Sequence, residues 1–338
     1  MRALLVDHPG DMRLVELPVE EPVPGEVLVR VGAAGICGSD LELLDGTRAP
    51  GYVRYPIVPG HEWAGTVVAV GTGVRTIRPG DLVVAEGIRP CGECTRCREG
   101  RTNLCDAEYA ETGFTHPGAF ADYVRVPARL VHALPPGTDL AAAALLEPAA
   151  CVANGLLDRA LAPGLDVAVV GAGTLGLLAV AMAALASPAR LVVVGTRPDR
   201  LALARRLGAT DAVDVRDADA LDAFAGSFDL VFEAASRADG AHVAVALARR
   251  GATVVLEGLS GDTAPNVSSE EVVLKHLMLR GIFGASSAAW QRVVALFASG
   301  LFDPRPLITH RFPLEQHEAA FEVVRDRDAG ALKVELVP

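Results

Sequence analysis

The sequence predicts an α/β chain: a β-rich opening section followed by a doubly wound parallel sheet of six strands. Three observations carry that expectation. The 338 residues are enough for two domains, each with its own core. The opening section, to about residue 149, is rich in Gly, Pro and Val and reads as short alternating runs. Between residues 166 and 283 apolar stretches alternate with helical ones, and a Gly-x-Gly-x-x-Gly triplet stands where the first of them turns.

In the opening section EVLVRVGAAGI, AGTVVAVG and GDLVVAEG are expected strands, punctuated by turns such as RPGD. The strands of the second section are DVAVV, RLVVV, DAVDV, DLVF, ATVVLEG and LMLRGIF. Helices between them include TLGLLAVAMAALA, DRLALARRLG and ADGAHVAVALARR. From Ala285 a helical stretch, SSAAWQRVVALFASG, leads into short elements ending at Pro338. That tail is too short for a domain of its own and is expected to pack back onto one of the others. The expected divisions are 1–149, 150–284 and 285–338.

Composition narrows the partners. Hydrophobic residues make up 51% and charged residues 22%, a globular balance. With 31 Lys and Arg against 42 Asp and Glu, the net charge of −11 repels a phosphate backbone, so no nucleic-acid partner is expected. The uncharged run Val167–Ala189 is long enough to span a bilayer, but its three glycines would interrupt a spanning helix. A strand, a turn and a buried helix account for it better, so no membrane partner is expected. The start, MRALLVDHPG, has no apolar core of signal-peptide length, which makes a cytoplasmic location the expectation.

Gly171, Gly173 and Gly176 form the triplet, with Thr174 and Leu175 opening the helix that follows. The first glycine permits the tight turn, the second lets backbone approach a pyrophosphate, and the third allows helix to pack on strand. The helix N-terminus stabilises the phosphate charge. In NAD-binding chains an acid about 20 residues beyond the glycines accepts hydrogen bonds from the ribose hydroxyls. Here Gly195 stands in that place, followed by Thr196, Arg197 and Arg200. Removing the acid and adding a hydroxyl and cations favours a 2′-phosphate, so NADP is expected over NAD. Asp199 as a displaced ribose acceptor is the competing reading.

Two groups of residues have metal-ligand character. PCGECTRCREGRTNLC places Cys91, Cys94, Cys97 and Cys105 on one short loop, where four thiolates can close a tetrahedral structural zinc site. An iron–sulfur cluster is the rival, but ferredoxin spacing puts the fourth cysteine three residues on and before a proline. Here it follows after seven residues and precedes Asp106. The second group is dispersed: Cys37 in GICGSD, His61 and Glu62 in PGHEWAG, and Glu147 in LLEPAAC. Each has an ordinary explanation alone. Together they offer thiolate, imidazole and carboxylate, the mixed set of a catalytic zinc. Two zinc ions per chain are therefore expected.

On CGSD, PGHEWAG, the four-cysteine loop, GAFADY, LEP and GAGTLG, all in order, the chain resembles the zinc-dependent medium-chain dehydrogenases over essentially its whole length. The resemblance implies a GroES-like catalytic domain built from the start and end of the chain, around a Rossmann domain, with the active site in the cleft between them. It implies hydride transfer from a secondary alcohol to the nicotinamide, with zinc polarising the substrate hydroxyl. Cys37 and His61 look like catalytic zinc ligands. Glu147 stands where alcohol dehydrogenases carry a cysteine, which is similar to the polyol, glucose and threonine branch; in that branch the counterpart of Glu62 coordinates zinc or exchanges with the second glutamate. Ser39 matches the hydroxyl that takes the substrate proton.

Glu42, where polyol dehydrogenases often have a histidine, is expected to hold sugar hydroxyls or complete the proton relay, a solvent-facing acid being the alternative. Glu111 in AETGFT resembles an aldose dehydrogenase acid that touches the substrate, although a surface acid is the commoner identity. The tail resembles threonine dehydrogenases, but GIRPC lacks the histidine that those enzymes carry before the cysteine loop. The expected substrate is a polyol, aldose, cyclitol or aminocyclitol, with an L-threonine-type amino alcohol as the alternative. Zinc-free quinone reductases and non-catalytic relatives lack these ligand sets. The resemblance also implies a homodimer or homotetramer.

Overall fold

The computed structural model describes residues 1–156, 161–235, 237, 239–259 and 267–338. The chain divides into two compact units, Met1–Glu147 with Ala285–Pro338, and Pro148–Gly284.

The first unit is organised by a seven-stranded sheet in the order Ile308–Pro313, Lys333–Val337, Glu26–Ile36, Glu62–Val70, Leu82–Ala85 and Val131–Leu134, with Tyr123–Pro127 also paired to Glu26–Ile36. The tail supplies two of these strands. It also supplies Leu314, Phe321, Val334 and Leu336 to a core that includes Leu4, Val29, Trp63 and Phe120. Register matters most at one point. The tail strand pairs Glu335 with Gly35, and Gly35 pairs on its other side with Glu62. Three segments far apart in sequence thus meet at the end of the Glu26–Ile36 strand.

The second unit is a parallel six-stranded sheet ordered Asp211–Asp214, Arg190–Gly195, Asp166–Val170, Phe228–Glu233, Ala248–Leu256 and Met278–Gly281. Its core gathers Val170, Val192, Phe228, Val231 and Val254. The strand order reverses direction between Asp166–Val170 and Phe228–Glu233, the switch point at which open α/β sheets bind ligands. Gly171 there has φ +105°, which favours glycine. A Cβ on Gly176 would lie 1.8 Å from the Gly171 carbonyl oxygen, so the Thr174–Leu185 helix can approach only without one. A Cβ on Gly173 would meet nothing within 4 Å. Turn, open approach and close packing fall to the three glycines as the spacing implies.

One boundary differs from the sequence expectation. The helix expected over ADGAHVAVALARR runs from Gly240 to Leu247, and Ala248–Arg250 belongs to the strand that follows. Ala248 is extended and pairs with Phe228, so sheet pairing overrides the helical propensity of ARR; Ala238 lies outside the described residues. Among the described residues no helix is long and apolar enough to cross a membrane.

Candidate active site and metal centres

Cys37 directly follows the Glu26–Ile36 strand of the first unit and is the N-cap of the Gly38–Asp45 helix. Asp40, buried in the first turn, accepts a hydrogen bond from the Cys37 backbone N–H at 2.8 Å. Its other oxygen lies 3.4 Å from His61 Nδ1. His61 and Glu62 sit where the adjacent strand begins, and the ligating atoms of Cys37, His61 and Glu62 all fall within 4.8 Å of one another. The His61 ring packs against Phe114 with centroids 4.7 Å apart. Burial opposes a charged imidazole, yet Asp40 and Cys37 together raise the His61 pKa well above its ordinary value. His61 Nδ1 and Asp40 Oδ1 are buried, and each faces the other. Thiolate, imidazole and carboxylate converging within 4.8 Å of one another is a donor set that fits zinc.

Glu62 is also tied elsewhere. Lys333 Nζ donates to Glu62 Oε2 at 2.5 Å and to the Ile36 carbonyl at 3.1 Å, with both side chains almost wholly buried. Burial works against the ammonium, but Glu62 and Cys37 hold the Lys333 pKa above its usual value. Gly35 makes room for this pair, because a Cβ there would lie 2.4 Å from Glu62 Oε2. Glu147, in the first turn of the Leu146–Leu156 helix, does not join the 4.8 Å group. It is close enough to be coupled to it: desolvation, with Glu62 and Glu111 nearby, pushes its pKa up to about 8 against the opposing effect of His61.

The second centre is the cysteine loop. Cys91 and Cys97 Sγ are 3.9 Å apart and Cys94 and Cys105 Sγ 4.0 Å apart, and all four sulfurs lie within 4.8 Å of one another. A tetrahedron with Zn–S bonds of about 2.3 Å has sulfur–sulfur edges of about 3.8 Å, so the loop is shaped for the ion. Backbone N–H groups of Cys91, Cys94, Cys97 and Ala107 point at these sulfurs at 3.3–3.5 Å. N–H donors from Glu93 and Cys94 lower the Cys91 pKa to about 6, favouring the thiolate.

Ser39 and Glu42 lie on the Gly38–Asp45 helix, one turn apart. Glu111 is buried, 7% exposed, and accepts a hydrogen bond from the Tyr109 hydroxyl. Burial raises its pKa, with His61, Tyr109 and Arg48 opposing, so it is not a surface acid. In the second unit Gly195 ends its strand in register with Asp214. The Thr196 carbonyl accepts from Arg216 Nη2 at 3.0 Å, and Arg216 also pairs with Asp214. Arg197 lies 3.3 Å from Asp199, and Arg200 is half-buried in the first turn of the Pro198–Arg206 helix.

Sequence reasoning missed Asp40, Lys333, Arg48 and Arg216. Lys333 left a trace, a lone cation inside the otherwise strand-like ALKVELV. Arg216 follows DAVDV directly, and only the strand order brings it beside Thr196.

Known proteins add a further view of this arrangement. Residues 23–136 match the model of the alcohol dehydrogenase GroES-like domain, and residues 174–299 match that of the zinc-binding dehydrogenases. The chain is 34% identical to an L-threonine 3-dehydrogenase of Bacillus subtilis, covering 96% of this chain and 94% of that one. It is 32% identical to a sorbitol dehydrogenase of the same species, covering 100% of this chain and 97% of the relative. Among solved structures, a zinc-binding dehydrogenase of Sinorhizobium meliloti 1021 bound to NADP superposes with a TM-score of 0.92 at 31% identity, over 100% of this chain and 99% of that one. A dehydrogenase of Escherichia coli CFT073 complexed with NADH also gives 0.92, at 28% identity, with the same coverage.

Proposed function

This chain belongs to the zinc-dependent medium-chain dehydrogenase family and is an oxidoreductase, and we propose that it oxidises a secondary alcohol of a polyhydroxylated small molecule with NADP as acceptor. The observation that carries the reading is the buried Glu111, paired with an Arg48 whose guanidinium lies on the same Phe114 ring that packs against His61 of the metal-ligand set. Bound there, zinc supplies Lewis acidity and the nicotinamide accepts hydride. Cys37, His61 and one of Glu62 and Glu147 hold the catalytic ion, and the four-cysteine loop holds a second.

The chain's own groups do the rest. Asp40 aims the imidazole of His61 at the site. Lys333 balances Glu62 while leaving it within ligand reach. Ser39 takes the substrate proton while passing its own hydroxyl proton outward, and Glu42 and Glu111 accept hydrogen bonds from hydroxyls flanking the reacting carbon. The open Gly173 and the backbone of Thr174, Leu175 and Gly176 receive the pyrophosphate. Thr196, Arg197 and Arg216 offer donors to a 2′-phosphate. The free thiols of both centres suit a reducing, cytoplasmic compartment, and a homodimer or homotetramer is the proposed assembly.

The test is a panel of polyols, aldoses, cyclitols, aminocyclitols and L-threonine with both cofactors, read by nicotinamide absorbance. The expected result is turnover confined to polyhydroxylated members, faster with NADP. A chain that oxidises L-threonine alone, the substrate in the name of the 34% identical relative, would overturn the substrate class.

A further inference from the structure

Arg48 has no part in the family motifs, yet the fold sets it beside Glu111. The Gly38–Asp45 helix stops at Gly46, whose φ of 70° turns the chain back. Arg48 Nε donates to the Tyr52 carbonyl at 3.0 Å, and its guanidinium lies over the Phe114 ring, 3.6 Å from the centroid. The same ring packs against His61 on its way to the metal-ligand group. One guanidinium nitrogen is 3.5 Å from Glu111 Oε2 and another 3.8 Å from Glu42 Oε2. Both distances are ion-pair contacts that are too long for direct hydrogen bonds. The Arg48 side chain is only 10% exposed, so its charge is held in place. Glu111 Oε2 already accepts from the Tyr109 hydroxyl, which leaves Glu111 Oε1 as the acceptor and the remaining guanidinium N–H groups as the donors of this patch.

We propose that Arg48 is a specificity-determining residue. Its guanidinium and the Glu111 carboxylate receive two neighbouring hydroxyls of the substrate as donor and acceptor, and the second carboxylate, Glu42, leaves this patch with an excess of negative charge that rejects phosphate and carboxylate substituents. Geometry gives the first half: hydroxyls both donate and accept, and spare guanidinium N–H groups beside the second oxygen of a buried carboxylate offer both partners. Charge gives the second half. One guanidinium stands between two carboxylates, so an anionic substituent meets a cation already balanced, with a further acid beside it. A neutral polyol, or one bearing an ammonium, suffers no such repulsion.

This inference rests on the polyhydroxylated reading above, and the experiment separates the two. Specificity constants are measured for cyclohexanol and for whichever of D-sorbitol, D-glucose and myo-inositol is turned over best, in the zinc-loaded parent, Arg48→Met and Arg48→Lys. Arg48→Met is expected to lose at least ~10-fold more on the polyhydroxylated substrate than on cyclohexanol, chiefly through KM, with Arg48→Lys in between. D-sorbitol 6-phosphate should be at least ~10-fold poorer than D-sorbitol in the parent, with the gap narrowed in Glu42→Gln. Equal losses on both alcohols in Arg48→Met would reduce Arg48 to a scaffold residue and overturn the proposal alone. A phosphate ester as good as its parent polyol would overturn the charge half. A parent that oxidises cyclohexanol but none of the three polyhydroxylated probes would overturn the substrate reading and this inference together.

Discussion

The Glu62–Lys333 pair gives the sharpest test of how this site is held. Lys333→Met keeps the length and apolar stem of the side chain but removes the ammonium. The parent ammonium makes two hydrogen bonds, to Glu62 Oε2 at 2.5 Å and to the Ile36 carbonyl at 3.1 Å. The two side chains are only 4% and 2% exposed, so water cannot replace what is lost. Breaking a buried pair from one side leaves an uncompensated charge, at a cost of about 3–5 kcal/mol. Glu62→Gln should cost a similar amount by stranding the ammonium. The double variant should lose clearly less than the sum of the two, because neither charge is then left alone.

The assay is urea unfolding of all four proteins, with and without chelator, at constant pH. An ion bound beside Glu62 would supply a second source of positive charge, so the Lys333→Met deficit should be larger in the chelated protein. A deficit below about 1 kcal/mol would refute the reasoning, since that is the range of a solvent-exposed pair. Additive losses in the double variant would refute it equally.

Three other outcomes are expected. Cys97→Ser should bring elemental analysis from two zinc ions per chain to one and destabilise the first unit, since closed zinc sites contribute directly to folding. Parent protein with one zinc or none after careful purification would contradict it. The parent should show the higher kcat/KM with NADP, and Arg197→Ala and Arg216→Ala should each shift preference toward NAD by roughly 10-fold, as loss of a charge-assisted bond does; unchanged cofactor ratios would remove both from the phosphate site. Buried Glu335, held up to about 7 from an ordinary 4.5 chiefly by burial, should make the fold lose stability as pH rises through that window. A raised carboxyl pKa means the native state binds the proton more tightly, so Glu335→Gln should gain up to about 3 kcal/mol relative to the parent between pH ~4.5 and ~8. Parallel urea midpoints for the two proteins across that range would count against it.

The parts legible in the sequence are those whose chemistry is local. Gly171, Gly173 and Gly176 act within one turn, and four cysteines within fifteen residues can meet only each other. The strands of the second unit declare themselves by runs of Val and Ala that no solvent-facing segment would carry. Lys333 and Arg48 were not legible, because their roles depend on sheet register and on a ring–guanidinium contact. Gly195 shows how a local reading can be incomplete. The sequence explains it as room for a ribose phosphate, but a Cβ there would also lie 2.9 Å from the Ala172 Cβ. Replacing it with Asp would therefore disturb the glycine turn as well as the charge, so the cofactor question is better put to Arg197 and Arg216.

The strand Lys333–Val337 is laid against Glu26–Ile36, the strand that delivers Cys37, so the site's last component is separated from its first by almost the whole chain. On the ribosome, Cys37, His61 and Glu62 emerge early, and the residues of the second unit are all made before Lys333 appears. At about 5–20 residues per second, the nascent first unit waits many seconds with Glu62 lacking its counter-charge. The second unit, a contiguous stretch, can complete its sheet during that interval. The Cys37–His61–Glu62 group therefore gains its counter-charge only when the tail strand closes on Glu26–Ile36. The cysteine loop needs no residue beyond Cys105, so its four sulfurs can come together while translation continues.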